Sequence, residues 1–200
     1  MVDEVKPVYV PALKWRQGEK LALKNLSDRL KSSIIPLIEL VNDEGDNPED
    51  LSNDLFAFWS GRTAYLDVRH RPDHFAHRAL NNIASHTQKI DIIPVVRLDS
   101  PQIIIEGIKS VAGMHNNGFA LRIIPNQDID FSILTEEVEL TLNQLSTSRA
   151  KVDLMIDFGY LKNQTQTYQA ALDSIASDIS FNDWRRVIVA AGSFPLSLQE

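Results

Sequence analysis

The chain of 200 residues is 44% hydrophobic and 24% charged, a composition typical of a globular protein with one sizeable core. Its formal net charge of −7 argues against binding nucleic acid through bulk positive charge, so we expect no nucleic-acid partner. The lack of cysteine excludes disulfides and thiolate metal sites.

Seven short apolar runs recur along the chain, and six of them end near a charged residue. The runs "YVPALK" and "IIPLIE" end on Lys14 and Glu39, and "IIPVVR" repeats their proline-containing shape before Arg97. In chain order the residues at the run ends are Lys14, Glu39, Asp67, Arg97, Arg122, Asp157 and Gly192. Their spacing of about 25 to 35 residues is typical of a repeated structural unit.

The apolar runs predict strands, and the amphipathic segments between them predict helices. We expect strands near residues 8–14, 34–40, 63–69, 91–98, 118–123, 152–158 and 186–192. The helical candidates are residues 17–33, 47–60, 71–88, 100–115, 132–146 and 165–179. No apolar run reaches the roughly 20 residues of a membrane-spanning helix, and the acidic start "MVDEVKP" is not a signal peptide, so we expect a cytoplasmic protein with no membrane partner.

Strands that alternate with helices of this size predict a parallel α/β sheet wrapped by crossover helices. A doubly wound open sheet is the alternative, but only 8 glycines occur and no G-x-G-x-x-G pattern is present. Seven similar units favour a TIM-type (β/α) barrel that forms a single domain over residues 1–200. A closed barrel of this type has eight strands, so we expect the last strand and helix to be missing at the C-terminus. We expect absent residues or another chain to supply them.

Charged residues at the carboxyl ends of barrel strands predict a site at the mouth of the barrel. Arg97 and Arg122 would follow adjacent strands, and two neighbouring cations repel each other unless an anion or carboxylates lie between them. We therefore expect a small anionic ligand, phosphorylated or carboxylated, that Arg97 and Arg122 bind with the help of Lys14. Asp67 is the expected partner of Arg97, and Asp157 is the expected partner of Arg122.

The carboxylates and one late loop complete the predicted site. Glu39, Asp67 or Asp157 is expected to act as a general base or to hold Mg²⁺ through oxygen ligands. The run "VIVAAGSFP" offers the backbone amides of Gly192 and Ser193 to a phosphate, as loops after late barrel strands often do. The alternative for the whole set is structural, because three cations and three carboxylates sum to zero charge and could close into a salt-bridge network.

The ordered series of short motifs is similar to that of a known family. "YVPALKWRQGE", "IIPLIEL", "YLDVR", "IIPVVRL", "LMIDFGYL" and "VIVAAGSFP" together resemble the beta protein family of bacteria and their phages. The resemblance implies a longer protein with a barrel-like domain in a phage-related setting, and it assigns no catalytic role. The residues that fall in the motifs are Lys14, Gln17, Glu19, Glu39, Asp67, Arg97, Arg122, Asp157, Ser193 and Pro195.

Two classes of function follow from these observations. The first is an enzyme, or a degenerate enzyme, that acts on a small anionic ligand at the mouth of the barrel, with the reaction left open. The second is a non-catalytic component of a phage-related or host-defence assembly that recognises a protein partner through the barrel surface. A deep, solvent-filled mouth favours the first class, and a mouth filled by ion pairs favours the second.

Overall fold

The computed structural model describes residues 9–41, 47–59, 61–86, 90–125, 131–160 and 165–192. The chain divides into two compact units. Unit 1 consists of the described residues of 1–95 and 101–118, and unit 2 of those of 96–100 and 119–200.

Unit 1 alternates short parallel strands with helices. Its strands are β1 (Ala12–Lys14), β2 (Leu37–Glu39), β3 (Thr63–Asp67) and β4 (Asp91–Val96), the last residue of which belongs to unit 2. Its helices are α1 (Gln17–Asn25), α2 (Asp28–Lys31), α3 (Leu51–Trp59), α4 (Asp73–Ala84) and α5 (Gln102–His115). The pairs β1–β2, β2–β3 and β3–β4 are all parallel, so the strand order follows the sequence.

The prolines of the repeated motif lie immediately before the first two strands. Pro11 precedes β1 and Pro36 precedes β2, where a missing backbone N–H is tolerated. Both still take part in the ladder as acceptors: the Leu37 N–H donates to the Pro11 carbonyl at 2.9 Å, and the Tyr65 N–H donates to the Pro36 carbonyl at 2.9 Å. The motif therefore marks the entry of β1 and β2, whereas in its third occurrence Pro94 lies within the fourth strand, residues 91–96, in register with Leu66.

The predicted helix over residues 17–33 is split into α1 and α2. Leu26 leaves the helical conformation with a ψ of 143°, and Ser27 follows as an extended N-cap with a ψ of 153°. Asn25, Ser27 and Asp28 are residue types that favour caps and turns over helix interiors. The local preference for extended backbone at residues 26–27 thus overrides the apolar spacing, although the Ser27 side chain makes no cap hydrogen bond.

The helices of unit 1 pack against each other through buried faces. α4 buries Ala79, Leu80 and Ile83. α5 approaches α4 closely at Gly107, where an added Cβ would lie 2.8 Å from Leu80 Cδ1. A glycine at this position therefore allows the two helices to come together.

Unit 2 has the same alternation. Its strands are β5 (Phe119–Ile123), β6 (Val152–Tyr160) and β7 (Arg186–Gly192), and its helices are α6 (Phe131–Gln144) and α7 (Thr165–Asp178), with short 3-10 turns at Arg149–Lys151 and Phe181–Asp183. The pairs β5–β6 and β6–β7 are parallel. Its core contains the buried side chains of Leu121, Leu154, Ile156, Leu134, Val138 and Ile175.

The described residues thus form an α/β protein with seven parallel strands alternating with helices, which confirms the predicted class and strand positions. The largest difference is in length: predicted strands 8–14 and 34–40 are reduced to three residues each, with a single bridge between Tyr9 and Ile34 ahead of them. None of the described helices has the length and hydrophobicity needed to cross a membrane.

Candidate functional site

Three charged residues of unit 1 stand in one row across its sheet. The register pairs Lys14 with Glu39 and Glu39 with Asp67, each at the last position of its strand. Residues in register on parallel strands point to the same face, and their chain neighbours point to the opposite one. The predicted neighbours Glu39 and Asp67 are therefore brought side by side on one face, with Lys14 at the end of the row.

The row becomes more buried from β1 to β3. Lys14 is exposed, whereas Glu39 is 9% exposed and Asp67 is 1% exposed. The Asp67 side chain also shapes the loop after β3, because its Oδ1 accepts the Arg69 N–H at 2.9 Å. The carboxylate of Asp67 is thus held in place by its own turn.

The charges of unit 2 are arranged as a diagonal pair. Arg122 is in register with Met155, and Asp157 lies two residues further along β6 on the same face. Arg122 Nε donates to Asp157 Oδ2 at 3.0 Å, and Arg122 Nη2 donates to the same oxygen. Arg122 is 7% exposed and Asp157 9% exposed, so the pair is buried. The predicted partnership of these two residues is confirmed.

Asp157 also closes a turn at the end of β6. Its Oδ1 accepts the Gly159 N–H at 2.8 Å, and Gly159 has a φ of 60°, a conformation that favours glycine. Gly192 pairs with Tyr160, and a Cβ added to Gly192 would lie 3.6 Å from the Gly159 carbonyl oxygen. The predicted ligand residue Gly192 thus lies beside the Asp157 turn, while Ser193 lies outside the described residues.

Arg97 follows β4 directly and is 7% exposed. The backbone N–H of Arg97 donates to Ser100 Oγ at 3.0 Å, and the backbone N–H of Ser100 donates to the Arg97 carbonyl at 3.2 Å. This small loop fixes the backbone from which the guanidinium extends. Arg97 belongs to unit 2 and Asp67 to unit 1, and the predicted pairing of the two stays a prediction.

Sequence reasoning missed a second buried carboxylate in β6. Asp153 is 0% exposed and accepts from Arg185 Nε at 2.7 Å and Arg185 Nη2 at 2.9 Å. Arg186, its register partner, brings Nη1 to 3.7 Å from Asp153 Oδ2. The sequence feature that could have identified Asp153 is its spacing of four residues from Asp157, which places both on one face of a strand.

The geometry bears on the magnesium hypothesis as well. In the part of the chain that the structure describes, no group of three or more His, Asp or Glu side chains is arranged to hold a metal ion. Glu39 and Asp67 belong to unit 1 and Asp157 to unit 2. The binding of Mg²⁺ by these carboxylates therefore stays a prediction.

The comparison with known families covers almost the whole sequence. The family model described as Beta protein matches residues 9–200, which include every charged strand end discussed above. No curated protein matches the chain. Since the family model spans far more than half of the sequence, the chain belongs to the Beta protein family.

Proposed function

We propose that this protein binds a small ligand with a phosphate or carboxylate group at the carboxyl ends of the unit 2 strands. Arg97 and Arg122 bind the anionic group, and the backbone around Gly192 approaches it closely. The observation that carries the proposal is the guanidinium of Arg122, which is buried at the end of β5 and held through Nε and Nη2 by Asp157.

The position and the chemistry of Arg122 both support an anion site. In parallel α/β proteins, ligands bind at the carboxyl ends of the strands. A guanidinium is a planar donor that matches phosphate and carboxylate groups. Because Asp157 fixes the plane of this guanidinium, less conformational freedom is lost when a ligand binds.

The small residues beside the pair support the same proposal. Gly159 and Gly192 lie next to Asp157 and carry no side chain that would cover the strand ends. Glycine allows a ligand to approach the backbone closely, and backbone N–H groups are common donors to anions. A catalytic role for Glu39, Asp67 and Asp157 stays a prediction until the ligand is identified.

The TIM-type barrel, with its remaining strand and helix supplied by other residues or another chain, is part of the proposal. In each unit the parallel strands follow one another in sequence order, as successive strands of a (β/α) barrel do. A cytoplasmic location and a phage-related setting are proposed with it.

A non-catalytic protein that recognises a partner is the second candidate. The observation that favours it is the same Arg122–Asp157 pair, because two hydrogen bonds from the guanidinium to the carboxylate oxygen Oδ2 join the two charges inside the protein. In that case the charged strand ends form a structural network, and the experiment below separates the two candidates.

The test uses Arg97→Met, which keeps most of the side-chain volume and removes the charge. Thermal unfolding is followed in chloride and in increasing phosphate at constant ionic strength. If phosphate binds, the parent melting temperature rises, with about 2.7 kcal/mol of added stability at 100 times the Kd, and Arg97→Met loses this rise while folding normally.

The control is Arg78→Met, which removes an exposed arginine of unit 1 that pairs with Glu49. Phosphate also stabilises proteins non-specifically, and that part of the response persists in both variants. A parent without a saturable phosphate response, together with a loss of about 3 to 5 kcal/mol in Arg97→Met, would contradict anion binding and support the structural network.

A further inference from the structure

Unit 1 contains a cavity of about 240 Å³ that is separate from the row of charges. Trp15 and Leu40 line it, and they directly follow Lys14 and Glu39 in the chain. The parallel ladder continues through both, since the Trp15 N–H donates to the Glu39 carbonyl at 2.8 Å and the Leu40 N–H donates to the Asp67 carbonyl at 2.9 Å. By the alternation of side chains, Trp15 and Leu40 point to the face opposite the row.

Much of the cavity wall is apolar. Trp15 and Leu40 come from the ends of β1 and β2, Leu51 from the first residue of α3, and Phe75 from the first turn of α4. Trp15, Leu40 and Leu51 are buried, so the wall is made of side chains fixed by the fold. Ligand pockets typically combine such walls with a few polar groups.

The lysine of the wall is already neutralised. Lys20 Nζ lies 2.7 Å from Asp54 Oδ2, and the Trp15 indole N–H donates to the same oxygen at 2.7 Å. The ammonium also lies 5.2 Å from the centre of the Trp15 ring. Because the Lys20 ammonium already pairs with Asp54, it should attract an anionic ligand only weakly.

The wall contains a second carboxylate, that of Asp50. Asp50 is exposed, and its Oδ2 accepts from Asn47 Nδ2 at 2.9 Å. Among the residues that the structure describes, no Lys, Arg or His lies within ion-pair distance of Asp50. The titratable groups of the wall are therefore one cation, Lys20, and two anions, Asp50 and Asp54.

We propose that this cavity binds a small organic cation: a primary amine with a short apolar or aromatic body. The ammonium group binds Asp50, and the body packs against Trp15, Leu51 and Phe75. The size fits a compact ligand, because cavities for drug-sized molecules are larger, at about 300 to 1,000 Å³. The site is distinct from the anion site proposed for unit 2, and its test does not depend on phosphate.

The experiment is a titration of the ¹⁵N-labelled protein with benzylamine, followed through the indole N–H signals of Trp15, Trp59 and Trp184. We expect a saturable shift of the Trp15 signal, because Trp15 lines the cavity and its indole N–H donates to Asp54, another residue of the wall. Trp59 and Trp184 do not line the cavity, and their signals should stay unchanged. Benzyl alcohol and benzoate, which have nearly the same shape, should bind more weakly.

The matched variants are Asp50→Asn and Asp28→Asn, which remove the same charge from two exposed positions of unit 1. Asp50→Asn should weaken benzylamine binding about tenfold or more through loss of a charge-assisted contact. Asp28 does not line the cavity, so Asp28→Asn should bind as the parent does. Equal binding of benzyl alcohol, an equal loss in Asp28→Asn, or no shift of the Trp15 signal would each overturn the proposal.

Discussion

The two units place charged side chains on a sheet face near the carboxyl ends of their strands, but they arrange the charges differently. In unit 1, Lys14, Glu39 and Asp67 form a row because the register pairs them directly. In unit 2, Arg122 and Asp157 are offset by two residues, so the guanidinium reaches the carboxylate diagonally.

This difference shows that the register between neighbouring strands determines which charged side chains come into contact. Direct register puts the carboxylates of Glu39 and Asp67 next to each other, and like charges on neighbouring strands repel. An offset of two residues keeps opposite charges on one face and within reach, so Arg122 and Asp157 form a buried ion pair. In unit 2 the register therefore brings opposite charges together, whereas in unit 1 it brings two carboxylates together.

The largest expected effect comes from breaking the unit 2 pair. Asp157→Ala leaves the guanidinium of Arg122 buried at 7% exposure, and we expect a loss of about 3 to 5 kcal/mol in the free energy of unfolding. The double variant Arg122→Met, Asp157→Leu removes both charges and should recover most of this loss. Urea denaturation of the three proteins measures both effects.

The exposed pair of Arg78 and Glu49 is the matched control. Its atoms are 2.6 Å apart, but the two side chains are 54% and 65% exposed. Glu49→Ala should therefore cost less than about 1 kcal/mol. If the double variant at Arg122 and Asp157 is as unstable as Asp157→Ala, lost packing rather than an unpaired charge is the cause.

The strands and their charged ends could be predicted from the sequence. Each strand contains a run of apolar residues with polar or small residues near its ends, and such runs are typical of buried parallel strands. The pair of Arg122 and Asp157 was predictable as well, because both follow runs that are consecutive in the chain and so neighbour each other in a parallel sheet.

The contacts between distant positions could not be predicted. The hydrogen bond from Trp15 to Asp54 joins residues 39 apart, and that from Arg185 to Asp153 joins residues 32 apart. Helix packing determines the first contact and the β6–β7 register the second, and neither leaves a local pattern.

Both units contain a turn in which an aspartate at the end of a strand accepts a backbone N–H, and we expect a smaller effect when this acceptor is removed. Asp67 Oδ1 accepts from Arg69, and Asp157 Oδ1 accepts from Gly159. Asparagine keeps this acceptor and alanine removes it, so at both positions the alanine variant should be less stable than the asparagine variant by about 1 to 2 kcal/mol. Thermal unfolding of the four variants gives the two differences. A difference at Asp157 that departs from the one at Asp67 would show the added effect of Arg122, since an asparagine has one oxygen for the two donors Arg122 and Gly159.

The smallest effect concerns the residue that donates in each turn. Gly159 has a φ of 60° and open space where a Cβ would be added, whereas Arg69 is exposed and has no positive φ. Gly159→Ala should therefore lose about 1 kcal/mol through backbone strain alone, while Arg69→Ala should stay within about 0.5 kcal/mol of the parent. Urea midpoints at matched protein concentration distinguish the two. If Gly159→Ala is as stable as the parent, the positive φ at this position is not needed. The unit 2 turn would then adopt an ordinary backbone conformation, as the unit 1 turn does, and keep the hydrogen bond to Asp157.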